Sequence, residues 1–139
     1  MDKLVEMIKQ HEGVVKHAYK DSRGYLTIGV GRLIDEKLGG GLSGDEIDYL
    51  LMNDLTRCRA EAETYPWFAG LSGARQAVVI SMLFNIGKPR WDGFKKAQAA
   101  IEVGDYGEAA AQMLDSRWAG QVGHRAEELA GMMISGEWP

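Results

Sequence analysis

The run Ala77-Val78-Val79-Ile80-Ser81-Met82-Leu83-Phe84 is apolar almost all the way round a helix. Such a helix is stable only where other elements surround it. Ser72 is placed to cap its start; Gly87 ends it and Pro89 follows. The surrounding elements are legible too. Ser43-Gly44-Asp45-Glu46 matches a capping box. The helix it opens carries Ile47, Leu50, Leu51, Leu55 and Cys58 on one face and should run to about Glu63, before the Tyr65-Pro66 break. Three shorter helical segments follow the central one, at about 93–103, 106–115 and 124–134, with Asp105-x-x-Glu108 marking the second start. The chain has 139 residues and one cysteine, so its core has to hold without a disulfide. Cys58 reads as a small buried hydrophobe.

The first forty residues have a different period. Residues 3–12 read as a helix with Leu4, Val5, Ile8 and Glu12 on one stripe and Gly13 as its stop. Tyr25-Leu26-Thr27-Ile28-Gly29-Val30 is strand-like, and Asp21-Ser22-Arg23-Gly24 is a type I turn signal. Together they predict a β-hairpin with Asp21 at the turn and Thr27 on the returning strand, where Tyr25, Thr27 and Gly29 share a face. Residues 35–42, with Gly39-Gly40-Gly41, read as a loop. Strands and helices segregated in this way predict an α+β fold, mostly helical.

Several function classes are disfavoured. A formal net charge of -4 argues against nucleic acid as a partner and predicts no strong pull toward anionic surfaces. The N-terminal MDKLVEMIKQHEG lacks an uninterrupted apolar stretch, so no secretory signal is expected; no segment approaches a membrane span, so neither is stable membrane association. His11, His17 and His124 do not form a HExxH pattern, and Gly29-Val30-Gly31 lacks the third glycine of a dinucleotide site. No metal and no cofactor are expected.

Three polar residues can carry chemistry. Glu12 ends the apolar stripe of the first helix. Desolvation there would raise its pKa and keep it partly protonated near neutral pH, as a general acid requires; from position alone, a solvent-facing helix-terminal Glu is the simpler account. Asp21 is a favoured turn residue, and Thr27 a favoured strand residue, so each has an ordinary explanation by itself.

Taken together they form a pattern. Glu12-Gly13, then Tyr19-Lys20-Asp21-x-x-Gly24-Tyr25-x-Thr27-Ile28-Gly29-x-Gly31, resembles the N-terminal signature of the T-even-type phage lysozymes, endolysin muramidases of glycoside hydrolase family 24. The spacing Glu-x8-Asp-x5-Thr is similar to that family's catalytic triad. Further resemblance runs through Asp45-Glu46…Leu51-x-Asn53-Asp54, Arg75-Gln76-Ala77, Phe84-Asn85-x-Gly87, Gly93-Phe94, Ser116-Arg117-Trp118, Arg125-Ala126 and Gly136-Glu137-Trp138.

The resemblance implies a lysozyme-like two-lobed fold: a small β-hairpin lobe at about 14–42, a connecting helix at about 44–63, and a helical lobe of 1–13 plus about 64–139. It implies an enzyme that hydrolyses the β-1,4 bond between N-acetylmuramic acid and N-acetylglucosamine in peptidoglycan, with inversion as the stereochemical expectation. Glu12 would be the acid, and Asp21 and Thr27 would hold the water. Phe84, Asn85 and Gln112 match substrate-binding positions, and Arg125 matches the arginine that pairs with the catalytic glutamate. A monomer is implied, accumulating in the host cytoplasm and released to the wall by a holin. A lytic transglycosylase, or a non-catalytic wall-binding or structural module, is the alternative. The chain departs from the T-even member in two places. The stretch from Arg32 to Ser43 is shorter, and Arg32 replaces a histidine whose partner matches Asp54, which implies an Arg32–Asp54 ion pair that cannot titrate near neutral pH.

Overall fold

The computed structural model describes residues 2–139. The chain divides into two compact units, the first ending at Leu50 and the second comprising Leu51–Pro139. Helix α2 (Gly44–Ala62) runs through the division.

In the first unit, α1 (Asp2–Glu12) stops where Gly13 takes a positive φ of 79° and donates its N–H to the Lys9 carbonyl at 2.8 Å. Strands β1 (Val15–Lys20), β2 (Leu26–Gly29) and β3 (Arg32–Leu33) form an antiparallel sheet with β2 in the middle. The expected hairpin is present: the Gly24 N–H reaches the Asp21 carbonyl at 2.9 Å, closing the turn. Tyr19 pairs with Thr27 on one side, and Leu33 pairs with Thr27 on the other. Directly opposed residues share a sheet face. Thr27 therefore lies between two larger side chains on the central strand, and only 5% of it is exposed. It is the one buried polar residue among the described residues.

The expected loop at 35–42 is more ordered than its glycines suggest. Just before it Arg32–Leu33 form β3, and within it Glu36–Leu38 make a 3-10 turn capped by the Asp35 side chain on the Lys37 N–H. The capping box at the start of α2 forms in both directions: the Ser43 N–H donates to Glu46 Oε1 at 2.7 Å, and the Glu46 N–H donates to Ser43 Oγ at 3.2 Å.

Glu46 has a second partner. The Arg32 guanidinium grips its carboxylate with contacts of 2.7 and 2.6 Å. Within the first unit the partner of Arg32 is thus Glu46, on the first turn of α2 near the end of the hairpin; within the second, Asp54 pairs with Arg57, three residues along its own helix, at 3.8 Å. The Arg32 hydrogen bond, and then that from the Ser43 N–H, bring the Glu46 carboxyl down to about 2 from its ordinary value of 4.5. A depressed carboxyl contributes stability above its unfolded pKa and loses it as pH falls through the folded one. The gap in melting temperature between wild type and Glu46→Gln should hold steady above pH 4.5 and close as pH falls toward 2. A gap undiminished at pH 2 in thermal melts would contradict the assignment.

The second unit holds the apolar core. Helix α3 (Gly73–Ile86) is its centre, with Val78, Val79, Met82 and Leu83 buried. Around it stand α4 (Lys88–Asp92), α5 (Lys95–Glu102), α6 (Tyr106–Leu114), α7 (Arg117–Val122) and α8 (His124–Ser135). The segment expected at 93–103 begins later, at Lys95, and is preceded by the short α4, whose first turn accommodates Pro89. Ser72 caps α3 through the Arg75 N–H, and its hydroxyl donates to the Gly136 carbonyl at 2.8 Å. Arg75 donates to the Met133 and Ile134 carbonyls, both at 2.8 Å, while its guanidinium lies 3.6 Å from the Tyr106 ring centroid. The start of α3 thus satisfies carbonyls that the end of α8 leaves open. Cys58 is fully buried, as expected of a small hydrophobe.

Candidate active site

Glu12, Asp21 and Thr27 all belong to the first unit, on the helix end and the sheet that follows it. Their local surroundings hold them in different ways.

Glu12 is the last residue of α1 and is exposed. The burial expected from its apolar stripe does not exist within this unit, since α1 carries no buried residue. The Glu12 carboxylate lies over Gly31. A Cβ built on Gly31 would lie 2.8 Å from Glu12 Oε2 and 3.1 Å from its Cδ. Only a residue without a side chain lets the carboxylate come this close, and Gly31 also holds φ at +64°, which glycine tolerates best. The glycine is visible in the sequence as part of a motif, but its role in seating Glu12 is not.

Asp21 sits at the turn between β1 and β2. Its Oδ1 accepts the N–H groups of Arg23 and Tyr25, each at 2.9 Å. Its own N–H donates to the Tyr25 carbonyl at 2.9 Å, continuing the β1–β2 register to an Asp21–Tyr25 pair. By strand alternation Asp21 and Tyr25 fall on the face of Thr27 and Tyr19. Both protein bonds to the carboxylate use Oδ1, so Oδ2 is the oxygen available to a water or substrate.

Thr27 donates its hydroxyl hydrogen to the Tyr25 carbonyl at 3.0 Å. With its one hydrogen committed, the oxygen faces any incoming water as an acceptor. The unit therefore offers an exposed carboxyl group over a glycine and, on one sheet face, a carboxyl group bonded through a single oxygen and a hydroxyl whose oxygen can accept. Paired carboxyl groups with an ordered water are what hydrolysis of a glycosidic bond needs.

Of the other expected site residues, Phe84 and Asn85 on α3, Gln112 on α6 and Arg125 on α8 belong to the second unit. Phe84 is 47% exposed and lines an apolar pocket of about 440 Å³ with Leu51, Leu55, Ala77, Ile80 and Trp138. The next residue, Asn85, accepts the Trp118 Nε1–H at 2.8 Å, so its side-chain oxygen already serves the core. Gln112 lines a second, more polar groove of about 330 Å³ with Phe94, Lys95, Lys96, Asp115 and Ser116, and donates to Glu108 at 2.7 Å. Arg125 lies near the start of α8 and is exposed. Among the described residues no group of His, Cys, Asp and Glu has the arrangement of a metal site.

A three-stranded antiparallel sheet together with a helical unit, with a glutamate ending the first helix and an aspartate and threonine on the sheet, defines a lysozyme-like α+β fold. Residues 9–134 match the phage lysozyme family, and the chain belongs to it. It is 28% identical to Probable T4-type lysozyme 1 of Dictyostelium discoideum, over 96% of this chain and 94% of that protein. Identity to Probable T4-type lysozyme 2 of the same organism is 24%, with the same coverage. The pre-baseplate central spike protein Gp5 of Enterobacteria phage T4 is also 24% identical, over 96% of this chain but 28% of its own length. The chain is accordingly a lysozyme-type cell-wall hydrolase.

Proposed function

We propose that the protein hydrolyses the β-1,4 bond between N-acetylmuramic acid and N-acetylglucosamine in peptidoglycan, with inversion at the anomeric carbon. The observation that carries this reading is the seating of the Glu12 carboxyl on Gly31, in the same small unit as Asp21 and Thr27. Glu12 protonates the departing glycosidic oxygen. A water donates one hydrogen to Thr27 Oγ1 and the other to Asp21 Oδ2, which leaves a lone pair for the sugar. As the bond to carbon forms, Asp21 takes the proton. Room for that water corresponds to carboxyl groups about 6.5–9.5 Å apart.

Arg125 is proposed to support Glu12 electrostatically, and Phe84, Asn85 and Gln112 to contribute to glycan binding. The division into lobes, with α1 counted in the helical lobe, is part of the same proposal. It is supported by the apolar stripe of α1: Leu4, Val5 and Ile8 are all exposed, and no apolar side chain of the first unit is buried among the described residues. We further propose a monomer that accumulates in the host cytoplasm, reaches the wall through a holin and lyses the host.

Loss of turbidity in a wall suspension, followed by mass spectrometry of the products, tests the reading. Hydrolysis gives reducing ends, whereas a lytic transglycosylase gives an anhydro sugar lighter by one water. The match to a stretch of the spike protein favours one second reading, a wall-directed module of a larger structural assembly; an inert wild type in the turbidity assay would support it. Gly31→Ala should lower the cleavage rate strongly, because the added methyl displaces the Glu12 carboxylate, and should cost about 1–2 kcal/mol of stability, because alanine is strained at a φ of +64°. Unchanged cleavage by a folded Gly31→Ala protein would show that the seat does not matter.

A further inference from the structure

We infer that Arg23 is a specificity-determining residue that recognises a carboxylate on the muramic acid side of the substrate; this rests on the proposed peptidoglycan cleavage. Arg23 lies inside the turn that holds Asp21, and its backbone N–H is one of the two donors to Asp21 Oδ1. Its side chain is exposed, and its Cζ stands 5.7 Å from the centroid of the Tyr25 ring. A guanidinium over an aromatic face is attracted by the ring quadrupole, which restrains an otherwise mobile side chain. Tyr25 pairs with Asp21 and, by strand alternation, shares the face of Thr27. The cation is thus tethered on the side of the sheet where Asp21 and Thr27 would hold the water.

A bare glycan offers that cation nothing of opposite charge. N-acetylmuramic acid does: its lactyl group carries a carboxyl, which is either free or extended by a peptide that has carboxylates of its own. Arginine's planar fork suits a carboxylate in two-point contact, and its charge persists at all working pH values. The predicted partner is therefore a carboxylate, from either the lactyl group or the stem peptide.

The test compares wild type, Arg23→Gln and Arg23→Lys on three substrates: intact peptidoglycan, the same material with its carboxyls converted to amides, and glycan strands stripped of peptide by an amidase so that the lactyl carboxylates are free. Arg23→Gln should lose about tenfold in kcat/KM on carboxylate-bearing substrate, mostly through KM, and nothing on the amidated material. Arg23→Lys should recover part of the loss, and the wild-type preference should shrink at high salt. Loss on intact peptidoglycan alone assigns the stem-peptide carboxylates; loss on the stripped strands alone assigns the lactyl carboxylate, which is free only there; loss on both means that Arg23 accepts a carboxylate from either source. An equal loss on the amidated substrate, or no loss anywhere, overturns the inference while leaving wild-type cleavage standing. A wild type that cleaves none of the three overturns both this inference and the reading beneath it.

Discussion

Glu12→Gln should abolish wall cleavage while the protein melts as the wild type does. Glutamine keeps the shape and the hydrogen-bonding reach of the side chain but has no proton to give to a leaving oxygen. General acid catalysis contributes about 10²–10⁴-fold, so the variant should fall by at least that factor. Stability should change little, because Glu12 is exposed at the end of α1. Its carboxylate lies against Gly31, whose open side the isosteric amide also fits. Turbidity assays on purified walls, paired with a thermal melt, separate the two effects. Substantial turnover by a folded Glu12→Gln protein would remove Glu12 from the acid role.

Trp118→Ala should be severely destabilising. The side chain is almost wholly buried in the core of the second unit, and its ring meets Phe94 edge-on, with centroids 6.4 Å apart. Removing a buried aromatic ring costs about 3–5 kcal/mol through lost transfer energy and the cavity left behind. The substitution also deprives the Asn85 oxygen of its 2.8 Å donor. A loss of this size is a large fraction of the roughly 5–15 kcal/mol that holds a domain together. The melting temperature should fall by more than about 10 °C. Trp118→Phe, which keeps most of the ring volume but not the donor, should lose markedly less. Equal losses for the two variants would mean that the hydrogen bond, rather than packing, dominates at this position.

Much of this organisation is legible in the residues. The central helix shows itself because eight consecutive positions leave it no polar face, and its ends are written in Ser72 and Gly87. The hairpin and the capping box are legible for a related reason: each is closed by local bonds among the residues that spell it, as the Asp21–Gly24 turn and the reciprocal Ser43–Glu46 bonds demonstrate. Elements too short to show a period escape such a reading. Two residues of β3 and five of α4 give no repeat to read. Phe84 shows a different limit. Apolar character all round a helix does not bury every side, and this ring opens onto a pocket instead.

At the site, sequence supplies residue identities but not their neighbours. Analogy points Arg32 toward Asp54 and says nothing of Glu46, whose carboxylate on the first turn of α2 pairs with it. The seat that Gly31 makes for Glu12 depends on where a helix end meets a strand turn, which no spacing rule encodes. Arg23 occupies an unmarked position within the motif; only the approach of its guanidinium to Tyr25 gives it a direction.

The stereochemistry of the first product tests the proposed water most directly. Proton NMR during the opening minutes of digestion should show the new N-acetylmuramic acid reducing ends as the α-anomer, which then mutarotates. Early appearance of the β-anomer, or products without a reducing end, would mean that no water held by Asp21 and Thr27 attacks the sugar from the face opposite Glu12.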